Sequence, residues 1–398
     1  MKAGGLIDGT GGPIMGDAVI EISDGAILTI GSHGYPALTE GRVTDFTGCT
    51  LLPGLVDSHV HLAMSGTDVQ EIRKRQLDAP FEEIKDVISE NLQEHFNQGI
   101  VAVRDGGDRS GHVLRYKRES LNTIGIPVAY RTAGRAWHSR GRYGAIIGRP
   151  PFEGMTLAGS IFRDYQGTDF IKIVNSGLNS LMDYGLETPS QFDLQALREG
   201  IRAAKELGLK TMVHANGREA VRMALEAGCH SIEHGFFMGD ENLKRMADKG
   251  ITWVPTMVTM DAYYRIPGLT TSRQPDMAKR NLDHQMLQVA KAGEYGVIIA
   301  AGTDSGSPGV RHGQALREEI RLMIQAGFSI ERAIQAATSN GSILLDVLNH
   351  TGTLSAGMPA TFIVAPGDPE DLPGSLESPV AVYVKGKRLK GSKIHHQI

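Results

Sequence analysis

Six residues of this chain are of types that hold metal ions or move protons, and each stands at the end of, or inside, a short apolar run. Asp57-Ser58-His59-Val60-His61 sets two imidazoles two positions apart. On an extended strand such residues face the same way, so His59 and His61 can reach one cation. His214 closes Lys210-Thr211-Met212-Val213, His234 closes Ser231-Ile232-Glu233, and Asp304 follows Ile298-Ile299-Ala300-Ala301-Gly302-Thr303. Each has an ordinary alternative. A histidine can be satisfied within the core, and an aspartate can cap the next helix. Polar groups that end several separate apolar runs are costly without partners, which favours one shared site. Lys172 lies inside Phe170-Ile171-Lys172-Ile173-Val174. It could snorkel past the strand end or pair with an acid. If it stays buried, its pKa falls below the usual value of about 10.4. The neutral amine can then add carbon dioxide, and the resulting carbamate offers two anionic oxygens that can bridge two cations.

The elements that must position these groups are apolar runs alternating with amphipathic segments. The runs are Leu51–Leu62, Ile100–Asp105, Ile126–Ala133, Phe170–Val174, Leu209–His214, Ser231–His234, Ile251–Thr256 and Val297–Asp304. They are nearly continuous in apolar residues, as strands buried on both faces of a parallel sheet are. Gln191–Leu207, Arg218–Ala227 and Met277–Tyr295 read as helices between them. The repeated alternation predicts an α/β fold, a (β/α)8 TIM barrel over residues 51–350, with the active face at the C-terminal strand ends. An open doubly wound sheet is the competitor, but no G-x-G-x-x-G follows the first run. Residues 1–50 and 351–398 carry short strand patterns, among them Ala18–Ile22, Ala26–Ile30, Thr361–Val364 and Val380–Val384. Neither end could bury a core alone, so a small β-sandwich built from both termini is expected.

Bulk properties narrow the function. The chain has 398 residues, 41% hydrophobic and 22% charged, with a net charge of −4 and acids and bases interspersed. That disfavours nucleic acid or an anionic membrane as the main partner. There is no apolar run long enough to span a bilayer, and Met1–Thr10 lacks a basic-then-apolar leader pattern. Two cysteines, Cys49 and Cys229, are too few for a disulfide framework, so the expected compartment is a reducing cytoplasm.

With these pieces in place, the sequence resembles the amidohydrolase superfamily, in its subtype with a binuclear metal centre and a carboxylated lysine. The matching segments are Pro53–His61, Phe170–Ile173, Val213-His214-Ala215, Ile232-Glu233-His234-Gly235 and Gly302-Thr303-Asp304-Ser305, with Leu6–Gly11 and Thr353–Ala360 at the ends. The likeness is greatest to the prolidase-like branch, which includes Xaa-Pro and Xaa-Arg dipeptidases and ochratoxinase-like amidases. It implies that His59, His61 and Asp304 bind one divalent ion, that His214 and His234 bind the other, and that Lys172, carboxylated by CO2, bridges them. Zinc suits four imidazoles, although manganese, iron or cobalt fit the same donors. It also implies an amide-cleaving hydrolase that works through a metal-bridging hydroxide, with Asp304 passing a proton to the leaving amine. A lactonase or phosphotriesterase would keep the same ligands. A deaminase is less favoured, because Gly217 stands where that group places a glutamate, and a non-catalytic relative is least favoured. Homo-oligomers are common in the superfamily, so one is expected here.

Two segments depart from the branch: His214-Ala215-Asn216-Gly217, where His-Ala-His-Gly is frequent, and Gly134-Arg135-Ala136-Trp137-His138, where a Gly-Gly-His-Gly turn is frequent. Both should border the substrate. Arg131, Arg135, Arg140, Arg142 and Arg149 crowd one stretch. They could clamp an anionic small molecule or form a solvated basic loop. Candidate substrate contacts are Arg135, Arg140, Arg142, Asn216, Phe236, Tyr263 and His312. His138 and Tyr264 are candidates to polarise the carbonyl or its oxyanion. The substrate expected is an N-acyl amino acid or dipeptide-like carboxylate. His284, His395 and His396 read as surface residues.

Overall fold

The computed structural model describes residues 1–32, 43–120, 125–165, 167–269, 271 and 273–390; His395 and His396 lie outside them. Its strands are β1 (Lys2–Leu6), β2 (Met15–Ser23), β3 (Ala26–Ser32), β4 (Asp45–Pro53), β5 (Leu55–Val60), β6 (Ile100–Asp105), β7 (Ala129–Thr132), β8 (Ala136–Trp137), β9 (Gly148–Arg149), β10 (Phe170–Val174), β11 (Lys210–Ala215), β12 (Ser231–His234), β13 (Thr252–Val254), β14 (Phe362–Pro366), β15 (Ala381–Val384) and β16 (Lys387–Lys390).

Both chain ends contribute to one seven-stranded sheet, ordered β16-β15-β14-β4-β1-β2-β3. Its core is separate, with Phe362 and Tyr383 stacked at 4.6 Å among Leu6, Ile20, Ile27 and Leu51. The run expected as one strand over Leu51–Leu62 is split. β4 ends in the seven-stranded sheet at Pro53, and β5 begins after Gly54 in a three-stranded parallel sheet with β6 and β7. A side chain at Gly54 would lie 2.5 Å from Val101 Cγ2, so only glycine lets the chain cross there.

The central part is mixed α/β. β10–β13 pair in parallel with aligned register: Val174 faces His214, and Ala215 faces His234. Every residue of β10 is buried, as the uninterrupted apolar run requires. Backbone hydrogen bonds link the two parallel sheets at either side. The Asp169 amide donates to Thr132 O (3.0 Å), joining β7 to the foot of β10. On the other side the Trp253 amide donates to Ile298 O, and Ser58 to Ala301 O, both at 2.9 Å. Residues 298–305 therefore run between β13 and β5, touching each through a parallel bridge, Ile299 with Trp253 and Ser305 with Val60, rather than a long ladder. Expected helices are present as Leu194–Glu206, Arg218–Ala227 and Gln274–Tyr295. Their apolar faces, with Leu197, Ile201, Val221 and Val289, join the large core over the parallel strands. No helix among the described residues is long and apolar enough to cross a membrane.

Candidate metal centre

The parallel register brings the six singled-out side chains together. His59 is on β5 and His61 just beyond it. Lys172 is within β10, His214 is on β11, and His234 is the last residue of β12. Asp304 comes from the segment paired to β5, its amide donating to His59 O at 2.7 Å. His59 Nε2 is 3.4 Å from Asp304 Oδ1, and His61 Nε2 is 3.3 Å from the same oxygen. The ligand atoms of His59, His61 and Asp304 lie within 4.8 Å of one another. The rings of His214 and His234 are 4.5 Å apart, and His234 is 5.0 Å from His59. Lys172 Nζ stands 3.4 Å from His59 Nε2 and is fully buried.

Each imidazole is held from behind. His61 Nδ1 meets Gly107 O at 2.8 Å, His234 Nδ1 meets Thr256 Oγ1 at 2.8 Å, and His214 Nε2 meets Gly177 O at 3.1 Å. His59 Nδ1 lies 2.9 Å from Glu233 Oε2. Such partners set the tautomer and leave the other ring nitrogen free to ligate. Two of the six sit in left-handed backbone, His234 at φ 67° and Asp304 at φ 57°. Non-glycine residues take this conformation at a cost, and it recurs at functional sites. Trp253 Nε1 donates to His234 O at 3.0 Å, and Ser307 Oγ to Asp304 Oδ2 at 2.8 Å, steadying both.

The electrostatics suit ligands. Burial, with the neighbouring Lys172 ammonium, lowers His59 to about 4 and His214 to about 3, so both imidazoles are neutral. Burial would raise the Asp304 carboxyl, but the imidazoles around it outweigh this and hold it well below its usual value. Burial lowers Lys172 to about 8. The fit to a cation is also steric. A Cβ at Gly106 would lie 2.8 Å from His61 Cε1 and 3.5 Å from His59 Nε2, so glycine there keeps the space over both rings clear.

The profile of the Amidohydrolase family matches residues 50–389. The chain belongs to the amidohydrolase family. It is a hydrolase acting on C–N bonds. Ochratoxinase of Aspergillus niger is 26% identical over 98% of this amidohydrolase and 86% of its own length. An uncharacterized protein of Mycobacterium tuberculosis is 26% identical over 87% of each chain. Among solved structures, a Xaa-Pro dipeptidase with bound methionine in the active site superposes with a TM-score of 0.81, at 26% identity over 98% of this chain and 99% of that one. These similarities match the prolidase-like branch.

The centre opens into a cavity of about 270 Å3. Of the expected substrate contacts, Asn216, Phe236 and Tyr263 line it. The arginine stretch does not. Arg135 is 3.5 Å from Asp164, and Arg149 pairs with the same acid. Arg140 donates to Pro151 O, and Arg142 to Pro189 O at 2.9 Å. Arg131 donates to Leu345 O and Asp346 O at 3.2 Å. Arg131 also lies 3.7 Å from Asp169, so the five guanidiniums are engaged by backbone carbonyls and two aspartates, as the alternative to an anion clamp requires. Tyr264 is also displaced from its expected role. It is 42% exposed, because neighbours on the helix Val258–Arg265 point about 100° apart and Tyr263 takes the inward position. His138 is buried with Nδ1 on Ser139 O, outside the cavity lining. His312 is buried between Met64 O (2.8 Å), Ser305 Oγ and His95, and supports the site's floor rather than its wall. His284 is half-buried, its ring 4.4 Å from Phe237, not on the open surface.

Sequence reasoning missed Glu233, Arg104, Arg73 and Tyr143. Arg104 lies inside an apolar strand just as Lys172 does, so the same signal could have found it. Arg73 and Tyr143, both on the cavity wall, sit in polar segments with nothing to mark them.

Proposed function

We propose that this amidohydrolase holds two divalent cations, with zinc the best match, and cleaves the amide bond of an N-acyl amino acid or dipeptide-like carboxylate. The convergence of His59, His61, His214, His234, Asp304 and Lys172 at adjoining strand ends carries the reading. His59, His61 and Asp304 would hold one cation and His214 with His234 the other. Lys172 would bridge them as a carbamate: its ammonium loses one proton, and the neutral amine then forms an N–C bond to carbon dioxide and releases a second, exchanging a buried cation for an anion. No carboxylate among the described residues lies within ion-pairing distance of Lys172, which supports this. The eight parallel segments read best as a (β/α)8 barrel, with the terminal sheet appended at Gly54.

When bound, such cations lower the pKa of a water and polarise the scissile carbonyl. Asp304, fixed through Oδ2 by Ser307, would take the proton from that water and pass it to the leaving amine. Burial raises the Tyr263 phenol, so it remains a donor on the cavity wall at neutral pH.

Metal analysis of the wild type and Lys172→Ala tests this, together with a panel of amides, lactones and phosphotriesters. The expected outcome is two metals in the wild type, their loss in the variant with no rescue by bicarbonate, and turnover of carboxylate-bearing amides. Two metals retained by Lys172→Ala would refute the bridge. Turnover of neutral esters or lactones alone would refute the amide reading.

A further inference from the structure

We propose that Arg73 is the residue that binds the substrate's carboxylate; this rests on the amide reading above and gives it a specificity determinant. Arg73 projects from the helix Gln70–Asp78 onto the cavity wall beside the metal centre. Its Nη1 donates to Gly306 O at 2.9 Å and, more weakly, to Thr67 O at 3.4 Å. Gly306 stands two residues after Asp304 and packs on the backbone of His61. The guanidinium is thus anchored to the loop that carries a ligand, and its remaining N–H groups are not engaged by the protein.

The charges around the cavity single it out. Arg109 on the rim is paired with Asp78 at 2.9 Å. The Asp108 carboxylate is consumed by the amides of Ser110, His112 and Val113. Asp304 belongs to the metal centre. Arg73 alone among the described cations of this wall, Lys172 aside, has no carboxylate within 4.0 Å. A half-buried guanidinium with donors to spare and no acid is a complement for a carboxylate brought by a ligand. Much of the remaining wall is apolar, with Ile146, Ile147, Leu178, Leu181 and Met260. A substrate filling both regions carries a free carboxylate on the leaving amine and an apolar acyl group.

The test compares an aromatic N-acyl amino acid with its neutral carboxamide on the purified metal-loaded enzyme. Four proteins are assayed: wild type, Arg73→Gln, Arg73→Lys and, as a control away from the cavity, Arg140→Gln. A charged hydrogen bond lost in Arg73→Gln should lower kcat/KM for the acid roughly 10- to 100-fold, mainly through KM, while the carboxamide changes by less than about threefold. Arg73→Lys should recover part of the loss, and calorimetric binding of the amino-acid product should weaken in parallel. Equal losses on acid and carboxamide would overturn the assignment and leave Arg73 as an anchor of its helix. If the wild type hydrolyses neither amide yet turns over lactones, the amide reading itself fails, a result distinct from the first.

Discussion

Glu233→Gln should be the most informative single change away from the ligands. The Glu233 carboxylate has no solvent exposure, and its two oxygens serve different partners. Oε1 accepts from Arg104 Nη2 at 2.8 Å and from Ser231 Oγ at 2.5 Å, while Oε2 lies 2.9 Å from His59 Nδ1. Arg104, itself 4% exposed, also donates to Ser58 O at 2.7 Å, next to His59. Glutamine keeps the shape and one oxygen acceptor but removes the charge. Arg104 is then a buried cation without a counter-ion. Breaking such a pair costs about 3–5 kcal/mol, and the retained amide oxygen argues for the lower end, about 3 kcal/mol. His59 also loses the partner that orients it, which should weaken metal binding about 10- to 100-fold. Urea unfolding of chelator-stripped protein reads the first effect, and competition against a chromophoric chelator reads the second. Adding Arg104→Met should restore much of the stability, since the orphaned charge is gone, but not the metal affinity. A Glu233→Gln variant within about 1 kcal/mol of the wild type, with unchanged metal affinity, would refute the account of this network.

Two further outcomes follow from the same geometry. Gly106→Ala should fold normally but bind metal more weakly, because the new methyl group meets His61 Cε1 at 2.8 Å; unchanged metal content after dialysis against a weak chelator would contradict it. His95 is buried against His312, and burial first, then that neighbour, holds it well below 6.5. Its native pKa is below its unfolded one, so its stabilising effect is complete above about pH 6.5 and is lost as pH falls, at up to about 1.4 kcal/mol per pH unit. His95→Gln should therefore show a shallower loss of unfolding free energy between pH 6.5 and 5, and parallel slopes would sink the argument.

Much of this site was legible because parallel strands leave a strong signature. An ionisable residue inside or ending an apolar run has few places to go, and Lys172, His214, His234 and Asp304 all converge as that logic requires. Arg104 obeys the same rule, but a guanidinium is no metal ligand, so its place beside Glu233 does not follow from its position in the run. The wall was legible only in part, through Asn216, Phe236 and Tyr263. Crowding of Arg135, Arg140 and Arg142 in sequence said nothing about where their guanidiniums turn, and Asp164 and the carbonyls of Pro151 and Pro189 took them. Tyr263 and Tyr264 differ only in their azimuth on one helix turn, which depends on how that helix docks. The last apolar run, Val297–Asp304, was legible, yet it forms bridges rather than a ladder: a Cβ at Gly302 would lie 2.9 Å from the His59 amide, and the chain then turns into left-handed backbone at Asp304.

That turn brings Asp304, from a segment held only by bridges, to a centre whose other donors stand on or just beyond regular strands. A ligand placed within a regular strand can point only to one face at a fixed rise. His234 and Asp304, each in left-handed backbone at the last residue of its segment, swing their side chains back over the strand ends toward His59. The strain is of order 1–3 kcal/mol per residue, and it is sustained by contacts on the carbonyl and carboxylate, from Trp253 and Ser307. With the histidines also tied from behind by Glu233, Gly107 O, Gly177 O and Thr256, the donors are ordered before any cation arrives. Metal affinity then does not have to supply their ordering, and changes in these supports should appear as lost affinity before they appear as a lost fold.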